Sequence, residues 1–310
     1  MAPYRLLPFL LLLLLSSSTA FQSSSYTPHR SLILVQQQPL ILRYHNGPLL
    51  KGNLTLHILW YGKFTPSQRA AISDFIVSLS PSSKLPPPSA ASWWATTAAY
   101  PGGAAVISIG HEILDTSYSL GRSLTTASLR RLARRAAGGP IKNAIAAVFT
   151  SADVAVDGFC MSSCGVHGAA RNSGVKFPYL WVGNAAVQCP GQCAWPYALP
   201  EYGPPGAAPL VAPSGDVGVE GIVINLATLI AGVVTNPYGR GYFQGPAAAP
   251  LEAVTACTGI FGSGAYPGYP GKVLVDTKSG ASYNARGVNG REYLLPAMWD
   301  PKTFNCATLV

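Results

Sequence analysis

Charge is scarce in this chain, and acid is scarcer than base. Of 310 residues, 21 are Lys or Arg and 12 are Asp or Glu, so 11% is charged, against roughly 25% in an ordinary soluble domain. Twelve carboxylates leave little from which to build the paired acids of a glycosidase, and none stands in a suggestive pair. Histidine is rarer still, at five residues. His111-Glu112 begins like half of a zinc-binding helix, but that pattern needs a second His four positions on, where Asp115 stands. The pair reads instead as a polar loop at a strand end. Other catalytic signatures are missing too. No G-x-S-x-G exposes a serine, since Gly262-Ser263-Gly264 lacks the spacing, and no Gly-rich loop meets a Lys-Ser/Thr to cradle phosphate. Collagen is excluded by the lack of a three-residue Gly period, and solenoids and propellers by the lack of any repeat of 20–50 residues.

Long apolar runs are confined to the start. Arg5 opens a short basic segment, Leu6 to Leu15 are apolar except for Pro8, and Ser16-Ser17-Ser18-Thr19-Ala20 are small. The run is too short to cross a membrane and has the form of a secretory signal peptide, residues 1–20, with cleavage expected after Ala20. The nearest later run, Gly221 to Val234, is broken by Asn225, Thr228 and Gly232. No transmembrane segment is expected. Without residues 1–20 the net charge of +9 becomes +8, because Arg5 leaves with them. Outside the cell such a balance favours acidic polysaccharide or anionic surfaces, whereas nucleic acid is absent there and no nucleic-acid motif is present.

What is abundant is apolar residues, Gly and Pro. Hydrophobic residues make 48% of the chain, enough to exclude intrinsic disorder. The 32 Gly and 27 Pro cut the chain into short elements. Six cysteines, Cys160, Cys164, Cys189, Cys193, Cys257 and Cys306, are an even number in an exported chain and point to disulfides, with 15 possible pairings. The two C-x3-C spacings favour Cys160–Cys164 and Cys189–Cys193, leaving Cys257–Cys306. Asn53-Leu54-Thr55 is an N-glycosylation sequon.

Residues 21–40 are Ser- and Gln-rich and read as a mobile lead-in, followed by one domain over 41–310. Leu54, Leu56, Ile58 and Trp60 alternate with their neighbours as a strand does. Thr65-Pro66 caps a helix whose buried stripe is Ile72, Phe75, Ile76 and Leu79. Strands at 104–109, 145–149 and 179–182 and helices at 123–137 and about 219–235 follow. The resulting β-α-β-α-β order predicts an α/β or α+β domain with a mixed, partly parallel sheet, flanking helices and a disulfide-stapled C-terminal half. Asp153 and Asp157 flank a strand end and read as turn caps. Cys164 and His167 could be drawn as a thiol–imidazole pair, but a disulfide at Cys164 makes His167 a structural or solvated loop residue. Trp93, Trp94, Trp181, Trp195 and Trp299 could stack on sugars, although filling the core explains them better. Arg130, Arg131, Arg134 and Arg135 spread over the outside of the second helix as a plausible polyanion contact.

Taken in order, the segments resemble the plant Exordium/phosphate-induced protein family. The resemblance runs from Tyr44-His45-Asn46-Gly47 and Ile58-Leu59-Trp60-Tyr61-Gly62-Lys63-Phe64, through Tyr118-Ser119-Leu120-Gly121, Thr150-Ser151-Ala152-Asp153-Val154 and Gly158-Phe159-Cys160-Met161. It continues through Cys164-Gly165-Val166-His167-Gly168, Cys189-Pro190-Gly191-Gln192-Cys193-Ala194-Trp195-Pro196 and Gly241-Tyr242-Phe243-Gln244-Gly245 to Trp299-Asp300-Pro301. The resemblance implies an apoplastic cell-wall protein that promotes cell expansion and is linked to brassinosteroid response and carbon status. It carries no settled catalytic activity, so no catalytic, cofactor or metal residues are assigned, and the expected partner is an acidic wall polysaccharide or an extracellular protein. The helix ending Thr235-Asn236-Pro237 is also similar to the metal-site helix of zincin-like relatives. Here the ligand and base positions are Thr228, Leu229 and Gly232, which cannot hold zinc. The expectation is a zincin-like scaffold without its metal site. The Arg-rich stretch at 130–135 looks like this member's own variation.

Overall fold

A computed structural model describes residues 39–101, 105–161, 163–200 and 208–310. The expected signal peptide, and residues 21–38 of the expected lead-in, lie outside the described residues.

The period-two segment at Leu54 becomes strand β1, Gly52–Tyr61. Both of its faces are buried: Leu54, Leu56, Ile58 and Trp60 enter one core, Leu59 and Tyr61 the other. A strand with helices on both sides buries both sets of alternating side chains. Helix α1, Pro66–Ser78, starts where the sequence places it. The Thr65 side chain accepts from the Gln68 backbone N–H while the Gln68 side chain accepts from the Thr65 N–H, a reciprocal capping box.

Strand β2 spans Ala105–Asp115, well beyond the expected end at Ile109. His111 and Glu112 therefore sit in the sheet and not in a loop. Trp60 Nε1 donates to Glu112 at 2.7 Å, and His111 Nε2 lies 2.6 Å from the Ala136 carbonyl. A register shift opposite His57 absorbs the change in pairing. There Gly110 is required sterically, because a Cβ would stand 2.4 Å from His57 Nδ1.

Helix α2, Thr126–Ala137, is capped by Thr125 and stopped by left-handed Gly138. Strand β3 covers Ala144–Thr150, β4 Gly165–Asn172, β5 Val175–Gly183, and helix α3 Val217–Thr235. The sheet order is β2-β1-β3-β5-β4. Its first four strands run parallel, and edge strand β4 is antiparallel to β5 across a tight turn at Ser173-Gly174, both at positive φ. The chain is thus a mixed α/β single domain with a mixed sheet.

Helices α1 and α3 cover one face and α2 the other. The large side chains expected in the core are there: Trp94, Trp181 and Trp299 are fully buried and Trp93 nearly so, while Trp195 is half-buried. Trp93, Trp94 and Trp181 each place their indole N–H on an oxygen, as buried indoles usually do, whereas the buried Trp299 N–H has no hydrogen-bond partner among the described residues. Helix α3 is long and apolar enough to cross a membrane, yet it lies against β4, β5 and α1 as the core helix of this domain.

Short antiparallel pairs in the tail wrap the α1/α3 face, and a buried loop must find partners for its backbone. Asn284 supplies them: its Nδ2 donates to the Phe261 and Leu295 carbonyls at 2.7 and 2.8 Å, and its Oδ1 accepts from the Leu295 N–H at 2.8 Å.

Three disulfides staple the fold: Cys160–Cys189, Cys164–Cys193 and Cys257–Cys306. The expected Cys257–Cys306 bond is present, whereas the short-range pairings Cys160–Cys164 and Cys189–Cys193 are corrected. The reason is local geometry. Cys193 N–H donates to the Cys189 carbonyl at 3.0 Å, so the two lie one helical turn apart on a short turn of helix. From there they face the 160–164 segment together, and the bonds form two rungs between the segments.

Candidate functional site

Parallel sheets offer their chemistry at the carboxyl ends of the strands. Here those ends carry Tyr61, Asp115 and Thr150-Ser151. Asp115, with no exposed side-chain surface, accepts from Ser119 Oγ at 2.5 Å and Ser119 N at 3.1 Å and pairs with Arg135. Burial alone would raise its carboxyl, but the Ser119 hydrogen bonds and the Arg135 charge outweigh it and hold the group below the usual carboxylate range. Asp153 accepts from Ser151 Oγ at 2.5 Å and Tyr118 Oη at 2.7 Å, with Arg122 at 3.3 Å. Gly62, at φ +94°, gives Ser151 its place, since a Cβ would fall 1.9 Å from Ser151 Oγ. Both acids are consumed in fixing the loops that leave the strands. The turn reading therefore holds for Asp153, and Asp157 sits exposed beside it with its N–H bonded to the Leu124 carbonyl.

A different carboxylate is less committed. Asp216 caps α3, and Glu220 follows in the first turn as the sole ionisable side chain of an otherwise apolar helix. It borders a cavity of about 170 Å³ between α1, the start of α3 and the 289–293 segment, with Ser214, Asn289, Arg291, Glu292 and Tyr293 among its lining. Glu220 is 2% exposed and accepts from the Ser214 N–H at 2.8 Å. Burial pushes its pKa up to about 7, against which Ser214 and Arg291 pull only partly. Glu292 is raised as well, by burial and then by Asp276. The cavity wall is held from α1, where Asp74 accepts from Asn289 Nδ2 and Arg291 Nε, each at 2.9 Å. Glu220 and Glu292 border the same cavity, a meeting that no sequence spacing suggested. One signal was present: a lone Glu inside a long apolar helix has to be buried, and a buried acid needs a reason.

His167 lies in β4 rather than in a loop, so the thiol–imidazole drawing fails twice, for Cys164 is in a disulfide. Its Nε2 meets Glu252 Oε2 at 2.8 Å, and Glu252 Oε1 accepts from Asn236 Nδ2 at 2.6 Å. Gly232 gives this pair its room, since a Cβ there would stand 2.9 Å from both. Thr228 turns its hydroxyl back to the Ile224 carbonyl at 2.9 Å, and Leu229 packs on the core. Among the described residues, no group of three or more His, Cys, Asp or Glu could hold a metal ion. Asn53 is exposed at the start of β1. Arg130, Arg131, Arg134 and Arg135 all lie on the exposed face of α2, and of them Arg135 is tied to Asp115.

The fold and these sites define a single α/β domain that a pair of disulfide rungs clamps beside its sheet. Residues 42–309 match the family model described as the phosphate-induced protein 1 conserved region, and the chain belongs to that family. It is 53% identical over 284 residues to Protein EXORDIUM-like 2 of Arabidopsis thaliana, covering 89% of this chain and 92% of that protein. It is 52% identical to Protein EXORDIUM of the same plant, over 89% and 93%, and 50% identical to Protein PHOSPHATE-INDUCED 1 of Nicotiana tabacum, over 91% and 93%. No solved structure matches.

Proposed function

We propose that the chain is an exported cell-wall protein that promotes cell expansion, within growth linked to brassinosteroid and carbon status, and that it acts by binding. Export is supported by the three disulfides, which persist in oxidising compartments. Membership of the family shared with Protein EXORDIUM supports the growth role. The observation that carries the binding mode is the Glu220 cavity: a polar recess of about 170 Å³ whose buried acid is free to donate as well as accept. Two carboxyl groups whose proton affinity is raised, together with an amide and a hydroxyl, suit an uncharged hydroxylated ligand such as one saccharide unit. The sheet order with α3 behind it supports the zincin-like scaffold, and Thr228, Leu229 and Gly232 leave that scaffold without metal ligands.

The test is complementation. Expressed in plants lacking the protein, the wild-type chain restores expansion growth, and Glu220→Leu, which removes the acid from the cavity, does not. Equal rescue by both, or recovery of the untagged protein in the cytosol, overturns the proposal. A second reading has one observation behind it. Glu220 and Glu292 line one cavity, which favours a wall-active hydrolase. Turnover of a wall polymer or peptide by pure protein, lost in Glu220→Gln, would decide for it.

A further inference from the structure

Helix α2 carries four arginines on its outer side, and the structure accounts for only some of them. Arg134 and Arg135 lie in the last turn, where a cation answers the helix dipole. Arg135 also pairs with Asp115. Arg130 and Arg131 sit mid-helix and gain nothing from the dipole. At i, i+4 they face Arg134 and Arg135, a spacing at which like charges weaken a helix. Between Asp115 and Asp153 the chain has six cations, Arg122, Arg130, Arg131, Arg134, Arg135 and Lys142, and no acid. The two flanking acids take Arg135 and Arg122. Arg130, Arg131, Arg134 and Lys142 are exposed, and among the described residues none of them has an ion pair.

We infer that the outer face of α2 is a docking surface for a carboxylated polysaccharide, a linear polyuronate. Guanidinium groups grip carboxylates in bidentate fashion, and three of them lie within about 6 Å along one helix, from the rise of 1.5 Å per residue. An anionic membrane fits less well. The leucines of α2, with Ala133, Ala136 and Ala137, point into the core, and the exposed positions offer no apolar side chain larger than Ala127 to insert. The choice of polysaccharide over nucleic acid rests on the proposal that the protein is exported.

The experiment measures retention of purified, oxidised protein on immobilised polygalacturonic acid. Wild-type protein binds and is released by moderate salt, and fully methyl-esterified polymer does not retain it. Arg130→Gln/Arg131→Gln/Arg134→Gln weakens binding about tenfold, with an unchanged melting temperature. A charge-matched control, Lys272→Gln/Lys278→Gln/Lys302→Gln, all three exposed, keeps wild-type affinity. Equal loss in both variants means diffuse net charge and overturns the proposal, as does failure of the wild type to bind. Tighter binding to single-stranded DNA or to anionic vesicles than to the polymer also overturns it. This readout does not involve growth. Polymer binding with no growth phenotype would sink the proposed function and leave this surface standing.

Discussion

Asp115 and Glu220 are both buried carboxyl groups of the same domain, on opposite faces of its sheet, and they have opposite fates. Asp115 ends a strand, receives two hydrogen bonds from Ser119 and pairs with Arg135, so its carboxyl is held below the usual range despite burial. Glu220 opens a helix, accepts one backbone N–H, and is pushed up to about 7. Burial acts on both, and the number of donors that follow decides the outcome. An acid whose lone pairs are all taken holds loops together. One left partly unsatisfied beside a cavity has capacity for a ligand. In this fold the strand ends, where α/β proteins usually work, are the committed region, and the α1–α3 seam is the available one.

The strongest way to break the contrast is to loosen the committed side alone. Cys160→Ser/Cys164→Ser/Cys189→Ser/Cys193→Ser removes both rungs, each of sequence separation 29, and lowers unfolding free energy by about 4 kcal/mol or more in denaturant melts. The Glu220 midpoint should not move, because α1, α3 and the 289–293 segment build its cavity. A shifted midpoint would show that the two regions are one cooperative site. Next in size, Asp115→Asn costs about 3 kcal/mol, since Arg135 and Ser119 lose the charge that orders the 115–121 loop. A neutral outcome in thermal melts would place Asp115 on the uncommitted side.

The two acids also differ in how far the sequence reveals them. Period-two and period-3.6 patterns marked β1, α1, β3 and α3 to within a few residues, because each apolar position there meets a core. Thr65-Pro66 and Gly138 fixed two helix ends by cap chemistry that needs no tertiary partner. What stayed hidden depends on residues far apart in the chain. Strand β2 continues through His111-Glu112 because Trp60 and Ala136 supply their partners. The disulfide rungs exist because two segments 29 residues apart run side by side. The cavity joins Ser214 and Glu220 to Glu292, and no local spacing encodes that meeting.

Titration sharpens the comparison through its sign. Glu220 has a native pKa of about 7, above its ordinary 4.5. Between those values the native state holds a proton that the unfolded chain has released, so stability falls as pH rises through this window. Glu220→Gln should recover about 3 kcal/mol near pH 8 and almost nothing near pH 4, read from denaturation midpoints across pH. Asp115 behaves in reverse. Its native pKa lies below 3.8, so its contribution is complete above 3.8 and is lost as pH falls through the lower native value. Asp115→Asn should therefore flatten only the acid limb. If Glu220→Gln flattened that limb and left the neutral one unchanged, the assignment of the two acids would be reversed.

The smallest effect tests whether the cavity is held or merely outlined. Arg291 pairs with Asp74 at 2.9 Å and its charge lowers the Glu220 pKa, a weaker influence than burial or Ser214. Arg291→Gln removes a half-exposed ion pair worth about 1 kcal/mol or less, and thermal melts should register no more than that. The same change takes a positive charge from the cavity, so the Glu220 midpoint moves upward in a carboxyl NMR titration. A downward shift would mean that the 289–293 segment had swung away and let water reach Glu220, because solvation favours the charged form. The direction of that shift therefore separates an electrostatic neighbour from a structural strap, which the stability change alone would not do.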